Sequence, residues 1–239
     1  MSNTVQKSGA KRGRPRGYDP DTALGKATRV FWDAGFAATS LDAITAGTGI
    51  NKPSLYAAFG DKHALYRQAL LRYGVMAQET MQDCLRPDRP LREGLHAVYQ
   101  RALSLYYTGE QGARGCFLIG TALTESVLDA EVRKILHAAL REIDEAFAGR
   151  FRLAQQQGEL AQSQDAVILA KIASAVLHTL AIRSRAGESR AALTALIEPA
   201  VRMICGAPAW HPAQKIPPAT ARSRRHRRTI HHTSGKNQT

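Results

Sequence analysis

The sequence contains two short helical segments separated by a tight glycine turn, and few folds accommodate this arrangement. In the stretch SLDAITAGTGINKPSLYAAF, Ser40 can cap the first segment, Gly49 ends it, and Asn51 can cap the second. Pro53 falls in the first turn of that second segment, where no backbone donor is needed. Helices this short are not stable alone in water. They must pack against longer neighbours, which predicts a helix-turn-helix unit within a helical bundle.

Helical periodicity recurs along almost the whole chain, and no alternation typical of β-strands persists. A first helix is expected to begin at Asp19–Pro20 and to end at Gly35, and a long fourth helix to run from Asp61 to about Cys84. After Pro90, apolar-faced helices are predicted at 91–107, 116–127, from 129 onward, at 165–185 and at 190–205. The chain is therefore predicted to be all-α.

The net charge of +13 is concentrated at the two ends of the chain. Residues 1–17 carry five Lys or Arg and residues 206–239 carry seven, with no acid in either segment. The other 21 of the 33 basic residues lie in 18–205 beside all 20 acids, so this middle part is nearly neutral. Both ends are predicted to be basic and disordered, and the charge alone does not indicate a nucleic-acid-binding body.

Cysteine usage and hydropathy favour a cytoplasmic protein. The three cysteines are far apart and form no C-x-x-C pair, which is typical of reduced thiols. The basic N-terminus lacks the apolar run of a secretory signal. The most apolar segment, AVILAKIASAVLHTLAI, is interrupted by Lys171 and is shorter than the roughly 18 to 20 apolar residues of a membrane span. No membrane association, metal site or cofactor is expected.

The segment TSLDAITAGTGINKPSLYAAFGDKHALY resembles the DNA-binding region of the TetR/AcrR family of bacterial transcriptional regulators. Four features carry this resemblance: Thr39–Ser40 at a helix start, the Gly49–Ile50 turn, L-Y-x-x-F at 55–59 and K-x-x-L at 62–65. Two threonines, Thr45 and Thr48, stand where the family usually has alanine. We expect looser packing between the second and third helices at these two positions.

The chain is expected to comprise four segments, of which composition predicts the two basic ends and the resemblance implies the two domains between them. A basic disordered N-terminal arm at 1–17 precedes an N-terminal three-helix helix-turn-helix DNA-binding domain at 18–66. A long helix then joins that domain to a C-terminal helical effector-binding and dimerisation domain at 67–205, and a basic disordered tail follows at 206–239.

Helix-turn-helix docking places the N-terminal residues of the third helix against base edges. Lys52, Pro53 and Ser54 occupy those positions, and Lys52 can donate to guanine O6 or N7. Base-reading residues vary between members of this family.

Four further residues are implied to contact the DNA backbone. Tyr56 and Lys62 match positions that usually contact phosphate, and Thr39 and Ser40 lie at a helix N-terminus suited to phosphate binding. Structural alternatives stay open, because Ser40 would cap its helix without DNA. Tyr56 is also explained as a packed aromatic residue, and Lys62 as a solvated cation.

The arm contains R-G-R-P at residues 12–15, which resembles the core of an AT-hook. A short arm in front of a helix-turn-helix can reach the adjacent minor groove, which predicts groove contacts for Arg12, Arg14 and Arg16. The alternative is a solvated basic tail that adds only nonspecific attraction. The C-terminal RSRRHRRTIHH receives no assigned role.

The resemblance also implies an effector pocket and a dimer interface in residues 85–205. The helices at 165–185 and 190–205 carry apolar faces that can pair across a two-fold axis, with ordinary core packing as the alternative. Pocket candidates, each also explained as a core or surface residue, are Tyr106, Tyr107, Cys116, Phe117, Thr121, Glu125 and His178. Cys116 is either a sensor of electrophiles or oxidants, or a buried inert thiol.

These observations favour a sequence-specific DNA-binding transcriptional regulator. The resemblance implies a homodimeric repressor that a small-molecule effector releases from a palindromic double-stranded DNA operator. The alternative is an architectural protein that binds nucleic acid without sequence preference through its basic tails. An enzyme is disfavoured, because the sequence shows no nucleophile elbow, P-loop, dinucleotide fingerprint or clustered Cys and His set.

Overall fold

Side-chain caps define where the N-terminal helices begin. In the computed structural model, which describes residues 18–109 and 112–206, four helices come first: α1 (Pro20–Ala38), α2 (Leu41–Thr48), α3 (Lys52–Phe59) and α4 (Lys62–Cys84). Each is preceded by a residue that accepts a hydrogen bond from the backbone of its first turn, namely Asp19, Ser40, Asn51 and Asp61. These bonds satisfy N–H groups that a helix start leaves free, and they confirm the predicted helix starts.

The C-terminal part is helical as well. It contains α5 (Leu91–Tyr106), a π-helical turn (Leu118–Ala122), a short α6 (Leu123–Glu125), α7 (Ala130–Gln156), α8 (Ala166–Arg185) and α9 (Arg190–Cys205). The described residues contain no β-strand, only an isolated bridge between Gly109 and Gly112. The all-α prediction is therefore confirmed, although the segment expected as one helix at 116–127 forms a π-helical turn followed by a single α-helical turn.

The first hydrophobic core lies among α1 to α4 and is rich in aromatic side chains. Trp32 meets Tyr73 edge to face with ring centroids 4.9 Å apart, and Phe31 meets Tyr66 at 5.1 Å. Phe117, from the segment before the π-helical turn, packs into the same core and is fully buried. The N-terminal helices are thus joined to the C-terminal part by shared packing.

The second core lies among α5, α7, α8 and α9, and α4 contributes to both cores. Leu70 and Tyr73 of α4 belong to the first core, whereas Met81 and Cys84 belong to the second. The 23 residues of α4 span roughly 35 Å. The domain boundary after residue 66 stays a prediction, since the first core continues along α4 to Tyr73.

Within the described ranges, α8 is long and apolar enough to cross a membrane by length and composition, with a mean hydropathy of 1.6. In the structure α8 packs against α5, α7 and α9, and 39% of its most apolar window is buried. A helix that packs in a protein core has the same apolar composition as a spanning one.

Candidate nucleic-acid interface

The turn between α2 and α3 is closed by a glycine and a threonine. Gly49 takes a left-handed conformation, with φ of 75°, which residues with a side chain adopt only at a cost. Thr48 Oγ1 donates to the Ile44 carbonyl at 2.7 Å and accepts from the Ile50 N–H at 3.3 Å. The expectation of looser packing at Thr48 is corrected, because its hydroxyl joins the end of α2 to the turn.

One face of α3 is anchored in the first core and the other is open. Leu55 and Phe59, one helical turn apart, are buried. Lys52, Pro53 and Tyr56 are exposed, and Tyr56 retains 44% of its surface. A helix held in this way presents its N-terminal half to a groove without losing its own support.

Two contacts position the start of α3. The hydroxyl of Tyr18 donates to the carbonyl of Ser54 at 3.2 Å. Lys52 Nζ lies 2.7 Å from Asp42 Oδ1, and both side chains are largely exposed. The hydrogen bond and the charge of Asp42 raise the pKa of Lys52, so its ammonium stays protonated. Exposed pairs of this kind are weak and exchange readily, and the ammonium has two further donors for a base or a phosphate.

The two residues at the start of α2 differ in accessibility. Thr39 is buried, and its hydroxyl donates to the Gly35 carbonyl at 2.6 Å. Ser40 is exposed, and its Oγ accepts from the Ala43 N–H at 3.0 Å. Of the two hydroxyls, that of Ser40 is therefore the one that DNA can reach in this conformation.

Lys62 begins α4 beside an aromatic ring. Its Nζ lies 4.3 Å from the centroid of the Phe36 ring, a cation–π distance. The ring restrains the side chain and leaves its N–H donors available to an anion. Arg12, Arg14 and Arg16 of the arm lie outside the described residues, as does the basic tail beyond residue 206.

A cavity of about 340 Å³ lies in the C-terminal part, bounded by α4, α5, α7, α8 and the segment from Cys116 to Ile119. Its size falls at the lower end of the range for small-molecule sites. The interface on α3 and this cavity are thus carried by different parts of the chain, which α4 and the first core connect.

Two family models match the chain in succession. Residues 23–69 match the model described as "Bacterial regulatory proteins, tetR family", and residues 90–199 match "Tetracyclin repressor-like, C-terminal domain". The chain belongs to the TetR family. This confirms the resemblance seen in the recognition segment, and it confirms the functional class, a DNA-binding transcriptional regulator.

The chain is also similar to individual proteins of the TetR family. The HTH-type transcriptional repressor ComR of Escherichia coli (strain K12) is 30% identical over 178 residues, which cover 74% of this chain and 85% of ComR. The repressor BdcR of the same organism is 39% identical over 107 residues, covering 45% of this chain and 54% of BdcR. A cysteine mutant of the regulator CifR, solved with a 26-base-pair operator DNA, is 35% identical with a TM-score of 0.72, covering 80% of this chain and 98% of CifR.

Three of the seven predicted pocket residues of this TetR-family chain line the cavity: Tyr106, Cys116 and His178. The other four do not. Tyr107 donates its hydroxyl to the Glu188 carbonyl, Phe117 is in the first core, and Thr121 is 2.8 Å from the Tyr66 hydroxyl. Glu125 lies on α6, away from the cavity lining.

Cys116 is half-buried and lines the cavity. Burial raises the pKa of the Cys116 thiol, against the opposing effect of nearby hydrogen bonds. Its Sγ accepts from the hydroxyl of Tyr73 at 3.4 Å, and the hydroxyl of Tyr106 lies beside it. The thiol is therefore protonated at neutral pH, which disfavours reaction with electrophiles.

Sequence reasoning missed Asp42 and Tyr18 at the interface and most of the cavity wall. The pairing of Asp42 with Lys52 depends on how α2 and α3 cross, which the sequence does not show. The wall is built from ordinary apolar residues of several helices, including Met76, Leu105 and Ile143. Their spacing indicates a buried helix face and carries no separate signal for a cavity.

Proposed function

We propose that this TetR-family chain is a homodimeric repressor that reads a palindromic operator through α3 and leaves it when a small molecule occupies the cavity. The observation that carries the proposal is the two-faced α3. Its apolar face, Leu55 and Phe59, is locked in the core, while Lys52, Pro53 and Tyr56 face solvent together. This is the arrangement that a recognition helix needs in the major groove.

The proposed contacts with DNA follow from which side chains are accessible to solvent. Lys52, Pro53 and Ser54 lie at the N-terminal end of α3 and would meet base edges. Tyr56, Lys62 and Ser40 would bind phosphates and fix the register. Thr39 would act through the backbone, since its hydroxyl is already bonded to Gly35. The arm residues Arg12, Arg14 and Arg16 would enter an adjacent A·T-rich minor groove, a proposal supported by sequence alone.

Dimerisation is supported by apolar side chains that α8 and α9 leave uncovered. The exposed members are Val167, Ile168, Ile172 and Ile182 of α8 and Leu196 and Met203 of α9. Ile168, Ile172 and Ile182 recur at spacings that place them along one side of α8. Pairing these helices across a two-fold axis would cover them and form a four-helix interface. Such a dimer would present two α3 helices about 34 to 36 Å apart, one turn of DNA.

Release by a ligand is supported by the position of Cys116. This residue lines the cavity, and the preceding Gly115 accepts a hydrogen bond from Trp32 of α1. A ligand that alters the segment at 114–117 would therefore act on α1, the helix that packs against the α2–α3 helix-turn-helix. Binding that favours one arrangement of this contact shifts the population of DNA-competent dimers.

Two of the relatives support repression as the direction of regulation. ComR and BdcR are described as repressors, and CifR is solved with operator DNA. We accordingly infer that this chain represses transcription in the cytoplasm, is associated with the nucleoid while bound, and has no turnover activity. The architectural alternative would require binding without sequence preference.

Selection of bound sequences from random DNA, with the full chain, tests the proposal. A repressor of this kind enriches a palindromic motif with half-sites centred about 10 base pairs apart. If the arm acts as proposed, A·T pairs are enriched beside each half-site. Enrichment without any motif would overturn the proposal in favour of architectural binding.

A further inference from the structure

The cavity wall is overwhelmingly apolar. Side chains from four helices and the π-helical turn line it, among them Met76, Met81, Val98, Leu105, Leu118, Leu140, Ile143 and Leu177. Its volume of about 340 Å³ is roughly twice that of an engineered apolar cavity that binds benzene. A compact ligand of two fused rings, or an aliphatic one of similar bulk, therefore matches the space.

Polar side chains in the wall are almost all engaged. Tyr73 donates to Cys116 and the Tyr106 hydroxyl lies beside the same thiol. Thr80 donates to the Met76 carbonyl of its own helix, and Thr108 donates to the Leu105 carbonyl near the end of α5. The remaining two polar wall residues have partners as well: Ser104 accepts from Arg190, and Arg101 is mostly exposed and pairs with Asp83. These groups offer little to a charged ligand.

His178 is the exception. Its Nε2 is shielded from solvent and has no hydrogen-bond partner within the described part of the chain. Burial lowers the pKa of His178, an effect that the Asp144 carboxylate opposes only in part, so the imidazole is neutral at pH 7. A neutral Nε2 donates or accepts according to its tautomer. A buried polar atom without a partner is costly, and a ligand that supplies one gains in affinity.

We propose that the cavity binds an uncharged, largely apolar molecule whose single hydrogen-bonding group pairs with the imidazole of His178. This rests on the proposed function only in that the ligand would be the effector. A hydroxyl suits either tautomer, because it can donate and accept. A carboxylate of the same shape would bind more weakly, since Arg101, the cation of the described wall, is mostly exposed and lies 3.7 Å from Asp83, which leaves little of its charge to offset burial of the ligand.

Equilibrium dialysis of the full chain without DNA tests this with three probes of one shape: naphthalene, 2-naphthol and 2-naphthoate. We expect 2-naphthol to bind most tightly, naphthalene to bind more weakly by roughly 3- to 10-fold, and 2-naphthoate to bind at least about 10-fold more weakly than 2-naphthol. Equal binding of naphthoate and naphthol would overturn the proposal. So would the absence of any binding by the neutral probes up to their solubility.

Two variants and a matched control assign the contact. His178→Leu should abolish the advantage of 2-naphthol over naphthalene while naphthalene still binds. His137→Leu changes an exposed histidine of α7 outside the wall, and should leave the ratio unchanged. Ala102→Leu narrows the cavity and should weaken both neutral probes. An unchanged naphthol-to-naphthalene ratio in His178→Leu, or unchanged binding in Ala102→Leu, would contradict the assignment.

Because dialysis is done without DNA, this result is independent of operator recognition. A protein that selects a palindromic motif but binds none of the neutral probes retains the proposed function and loses this inference. A protein that binds 2-naphthol through His178 but selects no motif retains the inference and loses the proposed function.

Discussion

The indole Nε1 of Trp32 donates a hydrogen bond to the carbonyl of Gly115 at 3.0 Å, joining α1 to the segment that enters the cavity wall. The guanidinium of Arg114 lies 4.0 Å from the Trp32 ring, and Arg185 donates to the Arg114 carbonyl at 3.0 Å. Cys116, which follows Gly115 in the chain, lines the cavity. The residue that Trp32 of α1 contacts is therefore the direct neighbour of a residue of the proposed ligand site.

Replacing Trp32 by Phe should destabilise the protein by about 1 to 3 kcal/mol, because it leaves the buried Gly115 carbonyl without its donor and removes part of a packed ring. Arg114→Gln, which keeps the Trp32–Gly115 bond but removes the cation–π contact of a largely buried guanidinium, should cost about 1 to 2 kcal/mol. Urea unfolding measures both. Equal stability of Trp32→Phe and the parent protein would show that this bond does not join the two parts.

The interface predicts a localised effect of Lys52. Lys52→Ala should weaken operator binding by roughly 1 to 3 kcal/mol and relax selectivity at one base pair of each half-site. Lys134 is a matched control, since it is exposed and pairs with Glu131 at 2.8 Å, as Lys52 does with Asp42 at 2.7 Å. Fluorescence anisotropy with single-base operator variants measures this. A uniform loss at every position would reassign Lys52 from a base to the phosphate backbone.

Stability should fall in alkaline solution because tyrosines are buried as neutral phenols. Burial raises the pKa of Tyr66 to about 12, from an ordinary value near 10. Below pH 10 Tyr66 is neutral in both the folded and the unfolded state, and its contribution to the free energy of unfolding is complete. This contribution is lost as the pH rises from the pKa of the unfolded state to that of the folded state, by up to about 1.4 kcal/mol per pH unit.

Tyr66→Phe should therefore show a shallower fall in unfolding free energy between pH 10 and 12 than the parent protein, although its stability at pH 7 is lower. Burial also raises the pKa of Tyr73 and Tyr106, so part of the slope persists in the variant. Identical slopes for the variant and the parent protein would contradict the burial effect at Tyr66.

If α8 forms the dimer interface, a charged residue on its exposed apolar side should prevent dimer formation. Ile172→Glu should produce monomers in sedimentation velocity and weaken operator binding, because it places a carboxylate in the apolar interface. Val75→Glu changes a similarly exposed apolar residue of α4 and should leave the dimer intact. Dimers of Ile172→Glu as stable as those of the parent protein would place the interface elsewhere.

Local chemistry made the reading unit predictable. The caps at Asp19, Ser40 and Asn51, and the left-handed Gly49, depend on residues within one helical turn, so sequence alone indicates them. The Lys52–Asp42 pair and the Trp32–Gly115 bond depend on how separate segments meet, and sequence alone does not indicate that. The cavity is the feature that sequence indicates least, because it is the space that the apolar faces of several helices leave unfilled when they pack together.

If the open face of α3 reads DNA sequence, the full chain should bind the selected operator at least roughly 10³-fold more tightly than a shuffled duplex of identical length and composition. The two affinities are compared at about 0.15 M salt. A ratio near one would show that α3 does not read sequence, since the basic ends would then account for all of the binding.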